Sequence, residues 1–320
     1  MSEAGLIEGV VGATADRPAL LLGPDGLDRH TRRDLRKEEI AIAARFQGEG
    51  GWPYAIWAVG GFAVWLGMFA LAFLHRLNLP VALVYSSVYA GLGYIVAHDA
   101  IHHNIFRQDS RWHWLNELSG WLAVLPIVFP FPLARIVHLR HHTHVNDPLE
   151  DPDYSDDARN VWHAIWKTWW NRQPGVKGSI HAYKEAAYKI GTPEAMQALK
   201  ITLVAQLLFM AALFAMAWSG FALEAVCLWW LPRHLGLTYA RIYLSWAPHH
   251  PREGNTGRYN NSVIFTSMWG DVGSSFMAYH LLHHLYPRIP VHQTRPAFYA
   301  MRHILEARGV DVSSRPVKGR

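Results

Sequence analysis

The chain has 320 residues, of which 51% are apolar and only 17% charged; a typical soluble domain is about 25% charged, so this balance argues against a disordered chain and toward long apolar stretches. One cysteine, Cys227, excludes an internal disulfide framework and a cysteine-rich zinc module. The net charge of +5 is too modest to suggest nucleic acid, and the outlier is histidine, with 20 residues.

Residues 1–50 are polar and charged, with no apolar core of a cleavable signal. They read as a cytoplasmic N-terminal segment, loosely ordered over 1–35. Three uncharged stretches then pass the test for a transmembrane helix, which needs roughly 20 apolar residues: Pro53 to Leu74, Leu79 to Ala97 and Ile201 to Trp218. A fourth, Phe221 to Ser245, carries Glu224, Arg233, His234 and Arg241. Charges inside a span face a protein interior or a polar cavity. The links 75–78 and 219–220 are short, so the four spans pair into two hairpins. Of the 30 Lys and Arg, 26 lie in 1–52, 98–198 and 246–320. The positive-inside rule makes that side cytoplasmic, with both termini on it and the protein in the cell's inner membrane.

Between the hairpins, Ser119 to Val137 is apolar but holds Pro126, Pro130, Pro132 and Arg135. Proline breaks helices, so this is a re-entrant or interface-lying segment, not a fifth span. Val161 to Trp170 contains four tryptophans and reads as a helix on the cytoplasmic face, or equally as a core helix of the cytoplasmic part. The predicted fold is therefore an all-α integral membrane protein with a cytoplasmic helical cap. Its membrane domain covers 51–300 and a cytoplasmic tail covers 301–320, with 310–320 loosely ordered.

The histidines cluster just past the span ends. His98, His102 and His103 lie in HDAIHH; His138, His141, His142 and His144 in HLRHHTH; His280, His283 and His284 in HLLHH; His249 and His250 follow the fourth span. Positions i, i+3 and i+4 share a helix face. That rule joins His98 with His102, His138 with His141 and His142, and His280 with His283 and His284. His103 and His144 fall off those faces and read as hydrogen-bonding groups around the ligands. Neutral imidazole suits iron, copper, zinc and nickel. A tetrahedral zinc takes four ligands, so eight or nine imidazoles suit two ions. A metal pair at a lipid surface suits activation of dioxygen against an unreactive C–H bond. A metal transporter is the rival from another class, but transporters place ligands near the bilayer midplane.

The acidic run Asn146 to Asp157 reads first as a solvated loop with Asp–Pro turns. Alternatively Asp147 or Asp151 orients a ligand imidazole through its second nitrogen, and Asp99, beside His98, is placed to do the same. Asp271 and Asn261 are weaker candidates. Arg140, Arg252, Arg258 and Arg288 lie near the clusters, where they could dock an acidic electron donor or a lipid headgroup, or act only as positive-inside anchors.

HDAIHHNIF (His98–Phe106), HLRHH and HLLHHLYPRIP (His280–Pro290) resemble the three histidine boxes of the membrane fatty acid desaturase and hydroxylase superfamily. The resemblance runs from about residue 50 to 300. It implies four transmembrane helices, a cytoplasmic cap and a di-iron centre with about nine histidine ligands. The cofactors implied are two iron ions, with O2 as co-substrate and an external donor of ferredoxin or cytochrome type. The ninth ligand comes from the cytoplasmic end of the fourth span, a place held here by His249 or His250. Acyl desaturases of the family often carry an Asn four residues before it; here that position is Ser245. Trp246–Gly254 and Arg258–Ser262 also resemble bacterial carotenoid ring ketolases, which favours His249. The implied activity is desaturation of a fatty acyl lipid, with ketolation or hydroxylation of a carotenoid-like ring as the alternative.

Overall fold

A computed structural model describes residues 23, 25–173 and 175–313. Among these residues the chain is helical and contains no strand. α1 (Arg29–Phe46) starts where the Asp28 carboxylate accepts N–H bonds from His30 and Thr31. Such a cap contributes about 1 kcal/mol. Residues 29–35, expected to be loose, are thus the first turns of a helix. Val310 and Val312 are buried in the same core as Ile42 and Ala43 of α1. The rest of the ends expected to be loose, 1–22, 24 and 314–320, lie outside the described residues.

Among the described residues three helices are long and apolar enough to cross a membrane: α2 (Trp52–Phe73), α3 (Leu79–Ile101) and α8 (Pro193–Trp218). α3 begins where the Asn78 side chain accepts from Val81 N–H and ends at His102. α8 starts eight residues before the apolar run, because Thr192 caps it and Pro193 occupies its first turn. Between these helices lie α4 (His113–Val124) and α5 (Phe131–Thr143). The chain breaks at 125–130, between Pro126 and Pro130, and Pro132 sits in the first turn of α5, where its missing N–H costs nothing. The segment 119–137 therefore lies in a bent helix pair, neither member of which is long enough to span alone. α6 (Val161–Trp170) and α7 (Ser179–Ile190) precede α8.

The fourth expected span is a helical run, α9 (222–249), in which α segments alternate with the π turns Val226–Trp230 and Arg241–Trp246. Each π turn offers a carbonyl to a side chain from outside the run. Trp65 Nε1 of α2 donates to Leu228 O at 3.0 Å, and Arg252 Nη2 donates to Ser245 O at 2.8 Å. The short α10 (His280–Leu285) and α11 (Val291–Ala307) complete the chain and pack with α1 around Leu281, Phe298 and Met301.

α3 is the axis, packing on α2, α4 and α9. Close approach depends on glycine. A Cβ on Gly236 of α9 would lie 2.7–2.9 Å from backbone and Cβ atoms of Ala90 in α3. Gly236→Ala should therefore cost about 1–3 kcal/mol through overpacking. Gly60→Ala, where nothing lies within 4 Å, should cost nothing. Thermal unfolding of the purified protein in detergent checks this, and an unchanged midpoint for Gly236→Ala would refute the close-packing argument.

Candidate metal centre

Four segments deliver histidines to one place. His98 lies in the last turn of α3 and His102 caps it; α5 carries His138, His141 and His142; α10 carries His280, His283 and His284; His249 ends α9. Ring nitrogens of His98, His102, His138, His142 and His283 all lie within 4.8 Å of one another, and those of His141, His249 and His284 form a second such group. His280 belongs to neither group. Its ring centroid is 4.7 Å from that of His284, 5.3 Å from His249 and 5.8 Å from His98, which places it between the two.

The contacts within the groups run nitrogen to nitrogen. His138 Nε2 is 2.9 Å from His102 Nε2 and 3.0 Å from His142 Nε2, which is 2.9 Å from His283 Nε2. In the second group, His141 Nε2 is 3.2 Å from His249 Nε2. A neutral imidazole has one N–H, so a network of this kind leaves lone pairs facing each other. Two nitrogens bound at right angles to one ion at about 2.1 Å would lie about 3.0 Å apart, so the spacing fits shared ions. Both nitrogens of His98 and of His280 are buried with no hydrogen-bond partner among the described residues, as is Nε2 of His284. The donor set and its orphaned nitrogens fit a pair of metal ions.

The electrostatics keep most rings in the ligating form. Burial, then the charges of His103 and Arg135, pushes His102 down to about 3. Burial, then His141 and His102, takes His280 to about 3 as well. Burial and neighbouring imidazoles hold His138, His142, His283 and His284 well below the usual value. His141 is the exception. Burial opposes its charge, but the Asp151 carboxylate outweighs burial and raises it.

Outer groups fix ring orientation. His141 Nδ1 is 2.9 Å from Asp151 Oδ1, and His249 Nδ1 is 2.8 Å from the Asn261 carbonyl. Asp151 also accepts from the N–H groups of Asn146 and Asp153, at 2.8 Å each. The acidic run is therefore folded against the centre and is not a solvated loop. Asp147 lies elsewhere, accepting N–H bonds from Leu149 and Glu150 within its own turn. Asp99 Oδ1 is 4.0 Å from His98 Nδ1, beyond hydrogen-bond reach. The Asp99 carboxylate instead accepts from Val291 N–H at 3.1 Å, at the start of α11. His144 bonds to Thr143 at the end of α5, and His250 stacks on Trp246.

His103 points away from the two groups, toward His113 and Glu117, a third and more open set that sequence reasoning missed. His113 and Glu117 are an i, i+4 pair on α4, and that spacing could have flagged them. Arg252, read from the sequence as a docking or anchoring arginine, is instead fully buried between Asp151 Oδ2 at 3.5 Å and Ser245. No local pattern marks it out from a surface arginine.

Two outcomes follow. Asp151→Asn should lower metal affinity about 10–100-fold while Asp147→Asn leaves it unchanged, as read by metal retained against a chelator. The second concerns pH. The depressed histidines are neutral in the fold but take a proton near 6.5 in the unfolded chain. Between about 6.5 and about 3 the unfolded state thus binds more protons. Stability of the metal-depleted protein should be full above about pH 7 and fall as pH drops through that window, by about 1.4 kcal/mol per pH unit per group. His141 works in the opposite sense and only blunts the fall. Thermal midpoints measured from pH 8 to 5 check this; a flat profile would refute it.

The family model for fatty acid desaturase matches residues 74–316. An sn-1 oleoyl-lipid 12-desaturase of Anabaena variabilis is 29% identical over 139 residues, 43% of this chain and 34% of that protein. A chloroplastic omega-6 fatty acid desaturase of Glycine max is 23% identical over 281 residues, 78% of this chain and 62% of that protein. A zeaxanthin 4-ketolase of Chlamydomonas reinhardtii is 26% identical over 274 residues, 82% and 53% respectively. The chain thus spans about one third to under two thirds of the length of these curated relatives. All three histidine boxes fall within the matched region, and the chain belongs to the fatty acid desaturase family, a family of oxidoreductases.

Proposed function

We propose that this protein is an oxygen-dependent desaturase of a fatty acyl lipid. Two iron ions would be held by His98, His102, His138, His141, His142, His249, His280, His283 and His284. The observation that carries this reading is that a mostly apolar cavity reaches the cluster of buried imidazoles at one of its members. It has a volume of about 500 Å³, reaches His138, and is walled by Ile127, Phe129, Leu133, Leu199 and Leu203. Bound iron would supply the reduction of dioxygen and the removal of hydrogen from an unactivated C–H bond. The chain's own part is to keep the rings neutral, to orient them through Asp151 and the Asn261 carbonyl, and to exclude water with the apolar walls. Removing two hydrogens from the lipid supplies half the electrons needed to turn dioxygen into two waters. The other electron pair calls for a donor protein, of ferredoxin or cytochrome type.

In the same reading α2 with α3 and α8 with α9 cross the inner membrane as two hairpins, with the centre, the cap and both termini on the cytoplasmic side. The distribution of Lys and Arg supports that orientation. Carotenoid ring ketolation is the second reading. It is favoured by the Chlamydomonas reinhardtii ketolase, which aligns with 82% of this chain, and by the string Trp246–Gly254. Family membership speaks against metal transport.

Lipid mass spectrometry of a host with and without the gene separates the outcomes. Acyl chains that lose two hydrogens support desaturation; a pigment that gains oxygen supports ketolation; an unchanged lipid and pigment profile refutes both. His138→Ala, His141→Ala and His284→Ala should each abolish product with membrane insertion intact, whereas His144→Ala should retain most of it. Equal loss at His144 would break the assignment of ligands.

A further inference from the structure

Five charged side chains line the cavity: Asp153, Arg172, Lys184, Arg233 and Arg241. The one acid is already engaged. Asp153 accepts from the Tyr183 hydroxyl at 2.8 Å and pairs with Arg241 at 3.2 Å. Arg241 also pairs with Asp156. Among the described residues Arg172, Lys184 and Arg233 are left without a carboxylate; Lys184 is exposed, with its ammonium over the Tyr188 ring. Arg233 is 9% exposed and has no hydrogen-bond or ion-pair partner among the described residues. Its guanidinium lies over the Phe209 ring, 5.2 Å from the centroid. Arg172 lies over Trp169, at 5.4 Å, and its one hydrogen bond goes to the neutral Thr238 hydroxyl at 3.3 Å.

An unpaired buried charge is costly, and in a membrane segment it marks a ligand or ion pathway. Arginine's planar fork matches carboxylate and phosphate oxygens. Arg233 also stands 12 residues before Ser245 on α9. At 1.5 Å per residue, and less through the π turn, that is at most about 18 Å. Ser245 and His138 line the same cavity as Arg233. The length is close to the roughly 15 Å that one leaflet's acyl chains occupy in a bilayer core.

We propose that Arg172 and Arg233 form an anion-binding site in this cavity, and that its occupant is a long-chain amphiphile bearing a carboxylate or phosphate. The anion sits between the two guanidinium groups, and the chain runs along the apolar walls toward His138. Placing this occupant as substrate rests on the lipid-oxidising reading above; the anion site itself does not. It also discriminates between the two readings, since a carotenoid ring carries no charge for these arginines to bind.

The test is equilibrium binding to the purified, metal-loaded protein in detergent, with radiolabelled oleic acid, dioleoyl phosphatidic acid and methyl oleate. At least one anion should bind about tenfold or more tightly than the neutral ester. Which anion wins identifies carboxylate or phosphate as the recognised group. The Arg172→Gln/Arg233→Gln double variant should lose that preference while its metal content and its binding of methyl oleate stay unchanged. Arg172→Lys/Arg233→Lys, which keeps the charge, should retain part of the preference. Methyl oleate binding as tightly as both anions to the unmodified protein overturns the proposal, and this comparison needs no variant to fold. So does a glutamine variant that keeps the preference. Oxidised product is read separately. Charge preference without product would refute the oxidase reading and leave the anion site standing, and product without charge preference would do the reverse.

Discussion

The constraint on which the structure depends is the removal from water of ring nitrogens that the protein itself does not satisfy. Among the described residues, His98 and His280 each bury both nitrogens without a partner, and His283 and His284 one each. A buried polar atom left unpaired costs about 1–3 kcal/mol. The fold accepts several such losses in one small volume. A cation coordinated there offsets them, which couples metal binding to folding. Hydrogen bonding the rings to protein groups would have been the cheaper solution for stability alone. Of the nine candidate ligands, only His141 and His249 receive an orienting acceptor at Nδ1 among the described residues, and both sit in the smaller group.

Holding the rings in place falls to contacts between boxes remote in sequence. Asp99, inside the first box, accepts from Val291 N–H, just past the third. Asn104 donates to the Pro287 carbonyl at 2.9 Å. Tyr286, also in the third box, donates to the buried Glu39 carboxylate of α1 at 2.8 Å, and Tyr259 donates to the same carboxylate at 2.7 Å. The N-terminal helix is thereby fastened to the histidine-bearing helix α10. Arg252 links Asp151 to the Ser245 carbonyl, so one buried guanidinium ties the acidic loop to the second π turn.

The charges in α9 find their explanation in the same frame. A polar residue in an apolar helix must face protein or a cavity. Arg241 faces Asp153 and Asp156 across the acidic loop, inside the π turn that precedes His249. His234 stacks on Trp169 of α6, and Arg233 opens into the cavity. The tryptophans of α6 divide accordingly. Trp169 faces α9, while Trp162, Trp166 and Trp170 are exposed.

The sequence by itself determined what short-range physics controls: the apolar helices, the prolines that bend 119–137, and the helical spacing of the histidine boxes. It did not reveal α1, whose order depends on an Asp28 cap and on packing against α11. Nor did it reveal the early start of α8 at Thr192. Spacing grouped His138, His141 and His142 on one face, and His280, His283 and His284 on another. Yet such a face is about 100° wide, enough to address two ions. Only the tertiary structure sent His138, His142 and His283 to one group and His141 and His284 to the other, with His280 between them. It alone decided that Asp151 meets a histidine while Asp99 caps a helix. Local periodicity sets where a side chain points on its own helix; what it meets there depends on elements that can be more than a hundred residues away.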